Sequence, residues 1–491
     1  MTGTLMVGVS GVRGIVDKDL TPAVVTRWAA AFGTWILEGT RDGGRGTSAS
    51  DRPTVLPSVV IGRDSRGSGP RFTQAVIAGL RVAGCSVKDV GMVPTPTIQL
   101  AVLHHGAGGG IAITASHNPI EWNALKFIGP DGIFLDGVDG ARVIDLAARG
   151  GRGAGPGSGK REAGDVTADQ AAVERHLQAV LALPVIDVER IRAAKFAVAL
   201  DAVRGAGGPI MRALLERLGC AVNGINLETD GKFPRAPEPI PENLAELGAL
   251  VKRWGSGLGL AVDPDVDRLA IVDETGTPIG EDYTLAFAVR AVLGKATEGR
   301  KDGQGMTDSP GIPVPSYRPS VVCNLSTSLV VEDAAREYGA ELVRTPVGEA
   351  HVARKMVERG AVIGGEGNGG VMYAPLHVGR DAPVAAALAL ELLARSSRRV
   401  SGLVAAAPRY AIVKAKAPRG ADLEAVYAAL KQRFADAIRD EQDGLRLGWR
   451  DRWLHVRPSN TEPIVRFIAE APERRLAEEL VEEGRRLCAG S

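Results

Sequence analysis

The feature that most limits what this chain can fold into is a repeated grammar: a short apolar run, a Gly or Asp turn, then a stretch with helical periodicity. Residues 59–61 precede a predicted helix over 71–83, residues 196–200 one over 209–218, and residues 321–325 one over 328–338. Strand and helix in alternation imply right-handed βαβ units and a mainly parallel sheet flanked by helices. Three such stretches predict three α/β domains. From about Arg409 the grammar changes to a strand (410–414), a helix (421–438), strands around 453–456 and 464–469, and a helix over 472–488. That predicts a smaller α+β domain closing the chain. A length of 491 residues agrees, since one core serves roughly 150 residues. The expected divisions are 1–160, 161–278, 279–400 and 401–491. Segments 39–53, 150–164 and 297–319 are rich in Gly, Ser and Pro and read as loops, the first of them an insertion within the first domain.

Charge narrows the partners. With 59 basic and 58 acidic residues the net charge is +1, so no broad polyanion-binding surface is expected, no nucleic-acid partner, and only local anion recognition. Aromatics make up 4% of the chain, which leaves Ala, Val and Leu to fill the cores of helix-flanked sheets. Cys85, Cys220, Cys323 and Cys488 form no CxxC or Cys/His pattern and read as reduced, buried thiols. No basic segment leads into an apolar core at the start, and no apolar run approaches a membrane span. The expectation is a cytoplasmic protein without membrane partners.

Four motifs carry chemistry. Thr114-Ala115-Ser116-His117-Asn118-Pro119 follows the apolar run 109–113, which puts a hydroxyl and an imidazole where ligands collect in open α/β sheets, beyond the carboxyl end of a strand. Asp263-Pro264-Asp265-Val266-Asp267-Arg268 lies between two apolar runs. In an extended chain its carboxylates point to one side, and three convergent carboxylates with oxygen-only donors favour a hard cation such as Mg²⁺. Gly364-Gly365-Glu366-Gly367-Asn368-Gly369-Gly370 lets the backbone approach a polar ligand, with Glu366 and Asn368 able to bond hydroxyls. Arg457-Pro458-Ser459-Asn460-Thr461-Glu462-Pro463, with Arg466 shortly after, gathers a guanidinium, hydroxyls, an amide and main-chain N–H groups into a nest for a phosphate dianion.

In this order and spacing the motifs resemble the α-D-phosphohexomutase superfamily, which includes phosphoglucomutase, phosphomannomutase and phosphoglucosamine mutase. The resemblance covers essentially the whole chain, from Gly8-Val9-Ser10-Gly11-Val12-Arg13-Gly14, similar to that family's N-terminal arginine loop, to the loop at Arg457. It implies an α/β fold of three domains plus the smaller one around a central cleft. By the same resemblance Ser116 is the phosphorylated nucleophile and, with Asp263, Asp265 and Asp267, a ligand of Mg²⁺. Lys126, ten residues on, with Arg13, His117 and Arg268, surrounds the transferring phosphoryl group. Glu366 and Asn368 grip the sugar, while Arg457, Ser459, Asn460, Thr461 and Arg466 hold the other phosphate.

The implied activity interconverts hexose 6-phosphate and hexose 1-phosphate through a hexose 1,6-bisphosphate, which is both intermediate and activator. Its partners are small sugar phosphates, and the enzyme is a monomer or homodimer. Three departures are visible: Gly370 stands where many bacterial members carry His and Asn368 where they carry Ser, while Pro264 stands where many members carry Gly. His351 or His377 are conceivable substitutes, though a lone His of this kind is more often structural. Together with Thr345-Pro346-Val347-Gly348-Glu349-Ala350, these variants look closest to the archaeal-type phosphoglucosamine mutase and phosphomannomutase branch. Phosphoglucosamine mutase is therefore the leading expectation, a bifunctional phosphomannomutase/phosphoglucomutase the second, and a catalytically silent sugar-phosphate-binding protein a distant third.

Overall fold

The computed structural model describes residues 5–8, 11–42, 56–150, 164–301, 319–420, 422–459 and 464–489. Most of the three predicted Gly/Ser/Pro-rich loops lies outside these residues. Four sheets organise the described chain. The first has seven strands in the order Met6–Gly8, Gly11–Ile15, Trp122–Ile128, Gly109–Ile113, Ser58–Arg63, Ser86–Met92, Val166–Ala168. Its first three junctions are antiparallel and its last three parallel. Gly109–Ile113 is buried along its whole length, as an unbroken apolar run between two helical layers must be. Helix Pro22–Asp42 covers one face, where Phe32 stacks on Phe127 with ring centroids 4.9 Å apart. Helix Thr95–His105 supplies Ile98, Ala101 and Val102 to the other. Val166–Ala168 belongs to this sheet, so the sheet runs past the expected division at residue 160.

The second sheet runs Leu269–Val272, Leu258–Val262, Ala197–Asp201, Ala221–Ile225, and the third Glu341–Thr345, Ser320–Asn324, Ile363–Glu366, Gly370–Tyr373. Each is parallel except for one antiparallel edge strand. These two sheets share one apolar core: Leu285–Leu293 and Ala382–Leu393 pack into the cluster that also holds Leu200, Leu214, Leu260 and Ile271. The fourth sheet, Ala411–Pro418, Ile464–Ala471, Trp453–Pro458, Leu445–Gly448, Ile438–Asp440, is antiparallel throughout and has its own core under helix Arg474–Ala489.

One predicted helix is too long. The helix expected over 421–438 is Leu423–Arg433, started by Asp422, whose carboxylate accepts from Glu424 N and Ala425 N. It stops at Phe434, whose ring stands edge-on to Trp449 at 5.5 Å, and Ile438–Asp440 leaves as an edge strand. All four cysteines are buried, and no disulfide forms among the described residues. Among the described residues, no helix is long and apolar enough to cross a membrane.

Candidate active site

Three of the four motifs, and the phosphate-nest motif in its described part, occupy the same kind of place: the turn between a strand and its antiparallel neighbour. The Ser116 loop joins Gly109–Ile113 to Trp122–Ile128, and the aspartate loop joins Leu258–Val262 to Leu269–Val272. The glycine loop joins Ile363–Glu366 to Gly370–Tyr373. The Arg457 motif sits at the corresponding junction of Trp453–Pro458 with Ile464–Ala471.

Ser116 is buried, and its Oγ donates to Asp263 Oδ2 at 2.8 Å. It sits at φ +49°, a left-handed conformation that a non-glycine residue holds only when its surroundings enforce it. Two devices do so. Ser116 N donates to Thr114 Oγ1 (2.9 Å), whose own hydroxyl donates to Asp64 (2.7 Å). Fully buried Arg66, paired with Asp64 at 3.0 Å, donates to the carbonyls of Ser116 (2.7 Å), Asn118 (2.6 Å), Pro119 (2.6 Å) and Trp122 (2.9 Å).

The aspartates converge, but not through an extended chain. The loop turns, with Val266 at φ +62° and Val266 N bonded to Asp263 O at 3.1 Å, so the predicted period-two alternation does not apply. Instead Asp263 Oδ1 accepts from Asp267 N and Arg268 N, both at 3.2 Å, folding the loop around one carboxylate. One oxygen of each remaining aspartate is pinned: Asp265 Oδ2 by Lys126 Nζ (2.7 Å) and Thr95 Oγ1 (2.9 Å), and Asp267 Oδ2 by Arg380 Nη2 (2.6 Å). Asp265 Oδ1 and Asp267 Oδ1 are buried without a hydrogen-bond partner among the described residues.

Carboxylate oxygens of all three lie within 4.8 Å of one another. Burial, then repulsion by Asp267 and Asp265, pushes Asp263 well above the ordinary carboxylate range. Burial also opposes ionisation of Asp265, but Lys126, Asp263 and Thr95 overcome it and hold its pKa down. Orphaned oxygens on a buried trio with an excess of negative charge fit a hard divalent cation.

The remaining predicted cations gather here. Arg13 Nη1 donates to Asn118 Oδ1 at 2.8 Å. Arg268 Nη1 donates to Glu238 at 2.9 Å, and the same carboxylate lies 3.8 Å from His117 Nε2. His117 Nδ1 is 3.4 Å from Ser116 Oγ. Burial, then Arg268 and Arg13, holds His117 well below its usual pKa.

Glu366 is buried, with Oε1 taking Asn324 Nδ2 (2.8 Å) and Gly348 N (3.2 Å) and Oε2 taking Arg380 Nη1 (3.0 Å) and Asn368 Nδ2 (3.4 Å). His377 is not in this site: its Nε2 bonds buried Asp381 at 3.0 Å, which removes it as a substitute at Gly370. In the fourth sheet Arg457 pairs with Asp443 at 2.8 Å, and Ser459 N donates to Ile464 O. Asn460 and Thr461 lie outside the described residues. Arg457 stands directly opposite Arg466 across the hairpin, and Arg466 opposite Lys416 on the next strand. The three cationic side chains therefore share one face of the sheet, with Asp443 beside Arg457.

Sequence reasoning missed Arg66, Glu238, Arg380 and Lys416. Arg66 carried a usable signal, because Gly62-Arg63-Asp64-Ser65-Arg66 ends an apolar strand as the Ser116 motif does. Arg380 carried none, being a lone arginine ahead of a helix.

The chain is similar to known proteins along nearly its whole length. The phosphoglucomutase/phosphomannomutase profiles match along the chain: alpha/beta/alpha domain I at 4–150, domain II at 174–276, domain III at 282–410, and the C-terminal domain at 411–487. A phosphoglucomutase/phosphomannomutase of Thermococcus kodakarensis is 35% identical, over 98% of this chain and 97% of that protein. A phosphoglucosamine/phosphogalactosamine mutase of Sulfurisphaera tokodaii is 30% identical over 98% and 99%. The crystal structure of a phosphoglucomutase/phosphomannomutase family protein from Burkholderia thailandensis superposes with a TM-score of 0.76 at 26% identity, covering 99% of this chain and 98% of that one.

Proposed function

The chain belongs to the phosphoglucomutase/phosphomannomutase family, and from that premise we propose that it is a phosphohexomutase interconverting hexose 6-phosphate and hexose 1-phosphate, with glucosamine phosphate the preferred substrate. One observation carries the reading: Ser116 Oγ lies 2.8 Å from the buried aspartate trio, in a loop whose backbone is forced into place around it. A hydroxyl held this way serves as a phosphoryl acceptor and donor.

In the first half-reaction the bond between phosphorus and Ser116 Oγ breaks as one forms to the free hydroxyl of the sugar phosphate. That hydroxyl gives up its proton and Ser116 Oγ takes one up, leaving a 1,6-bisphosphate. After the sugar turns round, Ser116 attacks the other phosphate, releasing the isomeric monophosphate and restoring phosphoserine. Asp263, Asp265 and Asp267, with the Ser116 group, would hold Mg²⁺, which when bound would supply charge stabilisation to the phosphoryl oxygens. Lys126, Arg13 and Arg268 add positive charge, and His117 and Asp263 are the hydrogen-bond acceptors in reach of Ser116 Oγ. Glu366 and Asn368 orient the sugar, and Arg457, Ser459 and Arg466, joined by Asn460 and Thr461, hold the distal phosphate. The enzyme would act in the cytoplasm on hexose phosphates, as a monomer or homodimer.

Intact mass of the purified protein and of Ser116→Ala, followed by a mutase assay with Mg²⁺, glucose 1,6-bisphosphate and glucosamine 6-phosphate, tests this. An excess of about 80 Da lost together with turnover in the variant is expected; neither phosphate nor turnover with any hexose phosphate would leave a silent binding protein. The Thermococcus kodakarensis relative's name favours a second reading, a bifunctional phosphoglucomutase/phosphomannomutase. Comparable kcat/KM on glucose and mannose phosphates, with glucosamine phosphate behind, would select it.

A further inference from the structure

Arg380 occupies the point where three loops of the site meet. It lies just before helix Ala382–Ser396, and the guanidinium is buried. Each nitrogen faces a different carboxylate: Nη2 donates to Asp267 of the aspartate loop (2.6 Å), Nη1 to Glu366 of the glycine loop (3.0 Å), and Nε to Glu349 (2.9 Å). Its backbone is fixed from behind, because the next residue, Asp381, caps the helix through Val384 N (2.9 Å) and accepts from His176 (2.8 Å) and His377 (3.0 Å).

The glycine at position 370 is explained by the same side chain. A Cβ there would stand 2.2 Å from Arg380 Cδ and 2.9 Å from Cγ, so the stem of Arg380 fills the space that any side chain at 370 would need.

Resting on the phosphohexomutase reading, we propose that Arg380 is a positioning residue that couples the metal loop to the sugar loop. A guanidinium is a rigid planar fork, so tilting it toward one carboxylate moves it relative to the other two. Arg380 pins Asp267 Oδ2 and thereby leaves Oδ1, the oxygen without a hydrogen-bond partner, turned toward the cation position. The same plane sets Glu366. Metal affinity and grip on the sugar are therefore adjusted together, although Glu366 is not a metal ligand.

The test is Mn²⁺ binding to the full chain, followed by electron paramagnetic resonance, with phosphoserine content matched by intact mass. Wild type, Arg380→Lys, Glu366→Gln, the double variant and Gly370→Ala are compared, each with its melting temperature. Arg380→Lys should bind Mn²⁺ about tenfold more weakly or worse, as loss of a ligand-orienting partner does, and its KM for sugar phosphate should rise. Gly370→Ala keeps the arginine but displaces its stem, and should shift both quantities in the same direction. The decisive arm is Glu366→Gln, which should change Mn²⁺ affinity severalfold in the presence of Arg380 and not at all in the Arg380→Lys background. Equal Mn²⁺ affinity in wild type and Glu366→Gln, or an effect of Glu366→Gln that persists without Arg380, overturns the coupling while leaving the mutase reading intact. Absence of Mn²⁺ binding to the wild type overturns both.

Discussion

At the scale of single residues the site is held by groups that need never touch a substrate. Arg66 spends all of its side-chain donors on Asp64 and on four carbonyls of the Ser116 loop, and the left-handed Ser116 is the residue those bonds keep in place. Lysine preserves the charge but offers three donors in a different geometry. Arg66→Lys should therefore lower kcat about 10²-fold, the scale of a displacement near 1 Å at a reacting atom, while KM changes less than about threefold. It should also melt earlier, because buried carbonyls lose their donors at roughly 1–3 kcal/mol each. Steady-state kinetics checks the first point, and an unaltered kcat would remove Arg66 from the account of the nucleophile. Ser116→Ala tests the proposed nucleophile itself, Arg66→Lys only its placement.

At the scale of elements, helix Asp282–Lys301 begins with a half-buried carboxyl that accepts from Ser328 N at 2.8 Å and lies against Gly367 of the glycine loop. Burial, with Glu470 and Glu281 adding to it, pushes Asp282 up to about 8. In the unfolded chain the same group loses its proton near pH 4. Between those values unfolding releases a proton, so this group makes stability fall as pH rises, by at most about 1.4 kcal/mol per unit. Asp282→Asn keeps an acceptor for Ser328 N and removes the titration. The difference in urea midpoint between wild type and Asp282→Asn should therefore widen from pH 5 to pH 8 in favour of the variant, and a constant difference would contradict the assignment.

Elements were also what the sequence made most legible. Apolar runs such as 258–262 and 321–325 marked strands because both faces are buried, and motifs placed at their ends marked the site. The over-long helix at 421–438 shows where local pattern yields, since its end is set by the contact of Phe434 with Trp449, fifteen residues on. The aspartate trio was legible as chemistry but not as geometry, because the turn depends on Val266 at φ +62°. Arg380 and Glu238 were invisible, since their partners come from loops distant in the chain and leave no spacing to read.

At the scale of the whole molecule, the second and third sheets share a core while the fourth has its own. The junction between third and fourth includes a prominent set of polar contacts. Glu470 accepts from Ser328 Oγ, Leu329 N (2.8 Å) and Trp453 Nε1 (2.6 Å), Ser326 Oγ pairs with His455 Nδ1 (2.9 Å), and Tyr410 donates to Asp333 (2.8 Å). Hydrogen-bonded junctions of this kind permit domain motion more readily than apolar ones. Glu470→Ala removes the bonds from the fourth sheet to Ser328 and Leu329 at the start of helix Leu329–Arg336, and KM for the sugar phosphate should rise severalfold with a smaller change in kcat, because the proposed site for the distal phosphate lies on that sheet. Steady-state kinetics reads this directly; an unchanged KM would mean that the fourth sheet is positioned by other contacts.

Motion of the fourth sheet during turnover can be tested with little preparation. Cys85, Cys220, Cys323 and Cys488 are all buried, and burial raises the thiols of Cys323 and Cys488 and pushes Cys220 up to about 12. Buried, protonated thiols react slowly with maleimides. A pair of cysteines introduced on the surfaces of the first and fourth sheets can thus carry a donor and an acceptor dye with the native residues left as they are, and single-molecule energy transfer then follows each turnover in an otherwise unaltered enzyme.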